Sequence, residues 1–294
     1  MNQARPSNST ITVVTPSYNQ GHFLEQTLCS VRAQPTVDLE HIVIDGASSD
    51  GSVDIIRKYQ SGLSHWVSEP DLGQANALNK GFTRGSGAIM GFLPSDDFYL
   101  PGVLHKVLMC FEEKRADVVV GGFINLDETN NRSNIFLPAE SDVEKLPYLS
   151  SVLEPATFWR KKVWQTCGPF DEALDYAFGW DYLTKISKTY RTAILRSPIV
   201  VNRVHRGRKS LDGSAKRRAE ILNHIRQFAD PIWQERYRVV DALNIRRWRS
   251  VTGARPSAIR PFLFRMCFPR VSKLVTYEQT SNIVSTLKPL DTVQ

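Results

Sequence analysis

The first 120 residues alternate short apolar, β-branched runs with segments of helical hydrophobic spacing. Strands are predicted at 11–15, 41–44, 65–67, 88–93 and 118–120. Helices are predicted between them at 21–32, 52–59, 74–84 and 102–115. This alternation is typical of βαβ units, so the expected fold class is α/β with a Rossmann-like, mostly parallel sheet.

Polar clusters directly follow four of these strands, at 16–19, 45–50, 69–71 and 95–97. In open α/β sheets, ligands bind beyond the carboxyl ends of the strands. The clusters are therefore expected to converge on one edge of the sheet and to form a ligand site there.

The second half of the chain has a looser pattern. From residue 125, short β-rich pieces surround a helix near 180–190, which predicts an α+β half covering the ligand edge. Basic helical stretches follow at 215–229 and 231–248, the second with Asp230 and Pro231 as N-cap and first-turn residues. The expected segments are 1–124, 125–210 and a basic helical C-terminal extension, 211–294.

Asp96 and Asp97 follow the fourth predicted strand. Paired carboxylates can hold a divalent ion that bridges two phosphates and stabilises the charge of a leaving diphosphate. The alternative for a bare Asp-Asp pair is a surface turn or a helix cap, because short motifs match by chance. The other three polar clusters at the same edge favour the metal site.

Asp45 follows the second predicted strand. Its carboxylate can accept a hydrogen bond from the imide N–H of a uracil-type base, and the Tyr18 ring and neighbouring backbone can flank that base. The alternatives are an Asx-turn of Asp45 with Gly46 and, for 16–19, a plain strand-ending turn.

Five ordered motifs carry a resemblance to a known family: 11–19, 44–51, 68–74, 77–81 and 92–97. In order and spacing they resemble the family 2 glycosyltransferases with the GT-A fold, over roughly residues 10–210. The resemblance implies an inverting transferase that uses a nucleotide-diphosphate sugar, with a UDP-sugar favoured, and Mg2+ or Mn2+. Segment 1–124 would then bind the nucleotide-sugar, and 125–210 would bind the acceptor.

The resemblance also assigns roles to individual residues. It implies that Asp97, together with Asp96, binds the metal ion. It implies nucleotide-sugar contacts from Pro16, Tyr18, Asn19, Asp45, Asn79 and Asp96, with Asn79 on the donor side and Asp96 at the ribose or the metal. One departure is Gly46, where many relatives carry a second acidic residue.

In the second half, the motifs 154–159, 168–172 and 179–183 resemble the acceptor region of the family. There a carboxylate just before a helix is the catalytic base, and Asp181 is the match. Its alternative role is to cap that helix. Glu172 and Asp175 are the nearby alternatives for the base.

Four further residues are expected to contact the acceptor or the diphosphate: Asp71, Glu154, Trp180 and His205. Trp180 stands where relatives often have an acidic residue. It can stack on a sugar ring or pack in the core, the commoner fate of a tryptophan. His205 stands where some relatives place a residue near the metal, although a lone histidine is more often structural.

Positive charge is concentrated late in the chain, since residues 203–273 hold 18 Lys/Arg against 5 Asp/Glu. Within 255–270, arginines recur every five residues among apolar ones. Such a segment can bind an anionic membrane surface, or its apolar residues can pack back on the domain. No nucleic-acid-binding module is visible, so no nucleic-acid partner is expected.

Composition sets the expected location. No apolar run approaches the roughly 20 residues that span a bilayer, the first ten residues lack the apolar core of a signal peptide, and four scattered cysteines fit a reducing compartment. The expected location is the cytoplasm, with peripheral attachment to the inner face of the cell membrane.

The expected reaction is sugar transfer to a hydroxyl of a glycan or lipid-linked acceptor in cell-surface polysaccharide synthesis. A nucleotidyltransferase is the enzymatic alternative, but it would be expected to carry a Gly- and Lys/Arg-rich phosphate loop, and 16–22 holds no Lys or Arg. A non-catalytic sugar-nucleotide-binding protein is the other alternative, yet Asp45, Asp97 and Asp181 are all retained.

Overall fold

The structure is a computed structural model and describes residues 10–35, 37–209 and 214–242. Its strands are β1 (Ile11–Ser17), β2 (Leu39–Asp45), β3 (His65–Ser68), β4 (Ile89–Phe92), β5 (Phe98–Tyr99), β6 (Val118–Asp127), β7 (Arg132–Phe136), β8 (Thr157–Arg160) and β9 (Thr192–Val204). Its α-helices are α1 (Gly21–Arg32), α2 (Ser52–Tyr59), α3 (Gln74–Arg84), α4 (Val103–Lys114), α5 (Glu140–Glu144), α6 (Lys161–Cys167), α7 (Phe178–Ser187), α8 (Ala215–Phe228) and α9 (Pro231–Ala242).

The strands of the described residues form one sheet in the order β3-β2-β1-β4-β8-β6-β9-β5, with β7 paired to β6. The first four strands in this order run parallel, as do β6 and β9. The shorter strands β5, β7 and β8 are antiparallel to their neighbours. The predicted α/β class is confirmed, and every antiparallel pair of the described residues includes β5, β7 or β8.

Strand β1 continues to Ser17, through Pro16, where the sequence predicted that it would stop. Proline cannot donate a ladder hydrogen bond. Pairing of β1 with β4 ends at Val14, and beyond that residue β1 pairs with β2 alone. Pro16 therefore interrupts no hydrogen bond with β4. Helix α3 packs closely on β1, since a Cβ on Gly81 would lie 2.4 Å from a Val14 methyl group.

Two of the short β-rich pieces in the second half of the sequence, 193–195 and 199–201, are parts of one continuous strand, β9. Pro198 separates those pieces in the sequence pattern. In the structure Pro198 pairs with Gly122, and register shifts around Gly121 and Gly122 accommodate it. The helix predicted near 180–190 begins two residues earlier, as α7.

Helices α8 and α9 share a hydrophobic core with α7. Ile225, Ala229 and Tyr237 are buried in the same core cluster as Trp180 and Leu183 of α7. Asp230 accepts hydrogen bonds from the first N–H groups of α9, as its predicted capping role requires. Residues 243–248 of the second predicted helix, and the basic stretch 255–270, lie outside the described residues.

Within residues 10–35, 37–209 and 214–242, every helix is too short or too polar to cross a bilayer.

Candidate functional site

The loops that follow β1, β2 and β3 meet at one edge of the sheet, as predicted. Asp45 pairs in register with Ser17 on one side and Ser68 on the other. The N–H of Gly46 donates to the Ser17 carbonyl at 2.9 Å, and the N–H of Glu69 donates to the Asp45 carbonyl at 3.0 Å. The carboxyl ends of these strands therefore bring the first three polar clusters together.

Asp45 lies at the floor of this edge with no exposed surface. Its carboxylate accepts hydrogen bonds from the Ser48 N–H (2.9 Å), the Ser48 hydroxyl (2.6 Å) and the Ser68 hydroxyl (2.7 Å). The local turn is thus made to Ser48 rather than to Gly46. A carboxylate accepts about four hydrogen bonds, so one acceptor position is left for the predicted contact with a base, which stays a prediction.

Tyr18 and Asn19 follow β1 directly. The Tyr18 residue is 63% exposed, so its ring is available to a ligand. Asn19 instead braces two loops, because its N–H donates to the Ser48 hydroxyl (2.8 Å) and its side-chain oxygen accepts from the Ser49 N–H (2.9 Å). Pro16 is buried within β1. Their predicted contacts with a nucleotide stay predictions.

Gly46 leaves room for Asp71 at the nucleotide edge. A Cβ at position 46 would lie 2.8 Å from the Asp71 Oδ2 atom and 3.2 Å from the Tyr18 ring. The other Asp71 oxygen accepts from the Gly73 N–H at 2.8 Å. Asp71 therefore places a carboxylate beside Gly46 and Tyr18, and its predicted contact with the acceptor or the diphosphate stays a prediction.

Asn79, on α3, is buried and already fully engaged. Its amide exchanges hydrogen bonds with the Phe170 backbone (3.0 and 2.9 Å) and donates to the Glu172 carboxylate (2.7 Å). Asn76 donates to the other oxygen of Glu172 at 2.9 Å. In this structure Asn79 links α3 to the loop before α7; its predicted donor-side contact stays a prediction.

Asp96, Asp97 and His205 come together at the end of the fourth strand. The His205 Nε2 atom lies 3.1 Å from Asp96 Oδ2, and the imidazole packs on the Phe23 ring at 4.6 Å. Asp97 is buried, and its Oδ1 accepts from the Arg203 N–H at 2.9 Å. The sequence placed His205 near the metal site, and the structure puts it against Asp96.

The environment of Asp97 favours a bound cation. Burial, followed by the negative charge of Asp96, raises the pKa of Asp97 to about 8. A nearby positive ion favours the ionised carboxylate. Among the residues that the structure describes, no group of three or more His, Cys, Asp or Glu side chains is arranged to hold a metal ion. Two carboxylates still fit Mg2+ or Mn2+, which often take only one or two from the protein and the remaining oxygens from phosphates and water.

Two arginines of this site were missed by the sequence reasoning. The Arg203 guanidinium lies between the Phe23 and Phe98 rings (5.1 and 4.6 Å) and donates to the Asp96 carbonyl at 2.8 Å. The positive charge of Arg208 opposes the rise in pKa that burial causes at Asp97 and Glu154, and its Nη1 donates to the Arg203 carbonyl at 3.0 Å. The basic residues on either side of His205 could have indicated these contacts, but they were counted only as part of the charge surplus of residues 203–273.

Asp181 lies within the first turn of α7, not before the helix as the sequence predicted. Ala177 is the N-cap, so Asp181 does not have the capping role that was its alternative. The side chain is buried, and its Oδ2 pairs with Lys185 Nζ at 2.6 Å, one turn along the same helix. Its role as a base stays a prediction.

Trp180 is a core residue, which corrects its predicted contact with an acceptor. Its indole N–H donates to the Leu146 carbonyl at 2.7 Å, and its ring stacks on His224 of α8 at 3.9 Å. The residue is 6% exposed. The core alternative is the one that the structure supports.

The Glu154 side chain, by contrast, packs against the first turn of α7. Glu154 begins a short 3-10 turn, Glu154–Ala156, that leads into β8. A Cβ on Gly179 would lie 2.7 Å from Glu154 Cγ and 3.2 Å from both its carboxyl carbon and Oε1. The side chain therefore occupies the space that a side chain at position 179 would fill.

Comparison with known proteins identifies the first half. The profile of Glycosyl transferase family 2 matches residues 12–150. Residues 12–150 form a family 2 glycosyltransferase domain. An uncharacterized glycosyltransferase of Mycobacterium tuberculosis is 38% identical over 119 residues, 40% of this chain and 45% of that protein. The matched part thus spans about half the length of this relative.

A second relative and two solved structures extend the comparison. A PGL/p-HBAD biosynthesis glycosyltransferase of Mycobacterium bovis is 25% identical over 174 residues, 58% of this chain and 66% of that protein. The structure of S. aureus TarS 1-349 with UDP-GlcNAc is 18% identical, with a TM-score of 0.61 over 80% of this chain and 72% of that one. A mannosyltransferase from Pyrobaculum calidifontis with GDP-Man and Mn2+ is 16% identical, with a TM-score of 0.52 over 94% of this chain and 73% of that one. The family 2 domain therefore has the GT-A fold.

Proposed function

We propose that the protein transfers a sugar from a nucleotide-diphosphate sugar to a hydroxyl of a glycan or lipid-linked acceptor. The observation that carries this proposal is the convergence, at one edge of a family 2 domain, of the Asp45 loop with the Asp96, Asp97 and His205 cluster. The first would hold the nucleoside, and the second lies where a diphosphate and its metal ion would be bound.

The nucleoside would lie over Gly46, between the exposed Tyr18 ring and the carboxylates of Asp45 and Asp71. Carboxylates accept hydrogen bonds from base N–H groups or ribose hydroxyls. TarS has been solved with UDP-GlcNAc and with UDP, and the Pyrobaculum enzyme with GDP-Man. A UDP-sugar is the favoured donor, because the acceptor position left on the Asp45 carboxylate suits the imide N–H of a uracil-type base.

Mg2+ or Mn2+ would be held by Asp97 and Asp96, and would neutralise the charge that develops on the leaving diphosphate. Arg208 would add a second positive charge nearby, since its guanidinium donates to the Arg203 carbonyl at 3.0 Å. Arg203 fixes the geometry by binding the Asp96 carbonyl and, through its N–H, the Asp97 carboxylate. Preorganised charges of this kind stabilise a transition state without reorganisation.

Transfer by a single displacement inverts the anomeric centre and needs one general base on the acceptor side. The acceptor oxygen attacks the anomeric carbon while its proton passes to a carboxylate, and the bond to the diphosphate breaks. The candidate carboxylates are Asp181, predicted from the sequence, and Glu154. The two alternatives from the sequence are engaged elsewhere, since Glu172 accepts from Asn76 and Asn79 and Asp175 pairs with Lys216.

We also propose a role in cell-surface polysaccharide synthesis and a peripheral cytoplasmic location. The support is the charge surplus of residues 203–273 and the arginine repeat of 255–270, which would bind anionic lipid at the inner face of the membrane.

The test of the donor site is a thermal-shift screen of UDP-, GDP- and dTDP-sugars with and without Mn2+. A ligand at about 100 times its Kd adds about 2.7 kcal/mol to the free energy of unfolding. Asp97→Asn is expected to remove the Mn2+-dependent part of that stabilisation, and EDTA is expected to abolish nucleoside diphosphate release by the wild-type protein.

The matched control is Asp54→Asn, which neutralises an exposed carboxylate on α2 that pairs only with Arg57. It should behave as wild type. Full sugar transfer by Asp97→Asn in EDTA would contradict the proposed metal site, and no stabilisation by any nucleotide sugar would contradict the function itself.

A further inference from the structure

The carboxylate of Glu154 is held against the first turn of α7 by the absence of a side chain at Gly179. Its carboxyl carbon and Oε1 lie 3.2 Å from the position of a Cβ on that glycine. The 3-10 turn that carries Glu154 also contacts β4 and β9, the strands that lead to the Asp96–Asp97 pair and to His205. The turn that carries Glu154 thus contacts both α7 and the strands that lead to the cluster proposed to bind the diphosphate.

Asp181 points to a different side of the same helix. An α-helix turns by about 100° per residue, so positions 179 and 181 are separated by about 200° and do not share a face. The face of Gly179 contacts Glu154, whereas Asp181 pairs with Lys185, one turn further on. The neighbouring Trp180 side chain faces α8 and Leu146.

The charges around the two carboxylates differ as well. Burial raises the pKa of Glu154, and its own N–H and Arg208 oppose that rise. No other side chain among the described residues forms a hydrogen bond with the Glu154 carboxylate. Asp181 is instead paired with the Lys185 ammonium at 2.6 Å, so its carboxylate is already engaged within its own helix.

We propose that Glu154, rather than Asp181, is the catalytic base that takes the proton of the acceptor hydroxyl. The inference rests on the proposed glycosyl transfer. The acceptor O–H proton passes to the Glu154 carboxylate, the acceptor oxygen forms a bond to the anomeric carbon, and the electron pair of the breaking C–O bond leaves with the nucleoside diphosphate. The base lies on the Gly179 face of α7, and Asp181 stabilises the helix through Lys185.

The test compares Glu154→Gln with Asp181→Asn, each of which keeps the shape of the side chain and removes its basicity. Nucleoside diphosphate release is measured with the donor that stabilises the protein best, using a panel of alkyl glycosides as acceptors and water alone. Glu154→Gln is expected to lower kcat by at least about 100-fold, the low end of general-base contributions, with the donor Kd and KM within about threefold of wild type. Asp181→Asn is expected to keep kcat within about threefold.

Glu154→Asp is the second variant, because it keeps an acid but withdraws the carboxylate by one methylene; it should also lose kcat at unchanged donor Kd. The matched control is Glu140→Gln, an exposed carboxylate of the same half that pairs with Arg196. Wild-type kcat in either Glu154 variant, or an equal loss in Asp181→Asn, would overturn the assignment. A wild-type protein that neither binds a nucleotide sugar nor releases nucleoside diphosphate would instead refute the proposed function.

Discussion

Gly179→Ala tests the placement of Glu154 without touching its chemistry. The new Cβ would lie 2.7 Å from Glu154 Cγ, where ordinary van der Waals contacts begin at 3.4 Å. The Glu154 side chain must therefore move by at least about 0.7 Å or change rotamer. A misplacement of about 1 Å can cost a reaction about 100-fold, so we expect kcat to fall by roughly 10- to 100-fold.

The same change should leave the fold intact. Gly179 lies inside α7, where alanine is favoured over glycine by about 1 kcal/mol per residue. Displacing the flexible Glu154 side chain costs about 0.5–1.5 kcal/mol if it leaves its preferred rotamer. The two effects nearly cancel, so the free energy of unfolding should change by less than about 1 kcal/mol.

The assay is nucleoside diphosphate release at saturating donor, with chemical denaturation on the same preparation. Gly62→Ala is the matched control, because a Cβ there meets nothing closer than the Arg32 side chain at 3.6 Å. It should keep wild-type kcat. A Gly179→Ala protein of normal stability with wild-type kcat would refute the argument that the Glu154 position is catalytic, and a rise in donor KM alone would assign Glu154 to donor binding.

The remaining predictions concern the helix anchor and the C-terminal segment. Glu220, on α8, accepts hydrogen bonds from the backbone N–H groups of Asp175, Tyr176 and Ala177. Glu220→Gln should therefore lower the free energy of unfolding, measured by chemical denaturation, by about 1–3 kcal/mol. The exposed Glu235→Gln is the control and should leave it unchanged. Full-length protein should sediment with anionic vesicles at low salt and leave them as salt rises, and a protein truncated before Arg255 should bind less; equal partitioning would remove the membrane proposal.

The donor half could be predicted well because its determinants are local. Buried parallel strands are runs of β-branched residues, and their carboxyl ends must share one edge. The pairing of Asp45 with Ser17 and Ser68 follows from that rule. What the sequence could not show is that Asp45 would be largely satisfied by Ser48 and Ser68, because those hydrogen bonds depend on loop conformation.

The acceptor half was harder because its determinants are distant in sequence. Pro198 interrupts the strand pattern, yet Gly121 and Gly122, on another strand, absorb the irregularity. The sequence leaves two roles open for Trp180, stacking on a sugar ring or packing in the core. Its contact with His224, on α8, is visible only in the structure. Neither partner can be predicted from the residues that surround Pro198 or Trp180 in the sequence.

The catalytic base depends on the same kind of long-range information. A motif comparison looks for an acid along the chain near the start of α7 and finds Asp181, while Glu154 precedes it by a whole strand and helix. Gly179 has no functional side chain, so the sequence gives no reason to place a catalytic group at that position. In space, that missing side chain is what admits the Glu154 carboxylate to the first turn of α7. Because helix phase separates positions 179 and 181 by about 200°, only one of the two faces can meet an acceptor bound beside the diphosphate cluster. Glu154 occupies that face, and Asp181, held by Lys185, does not.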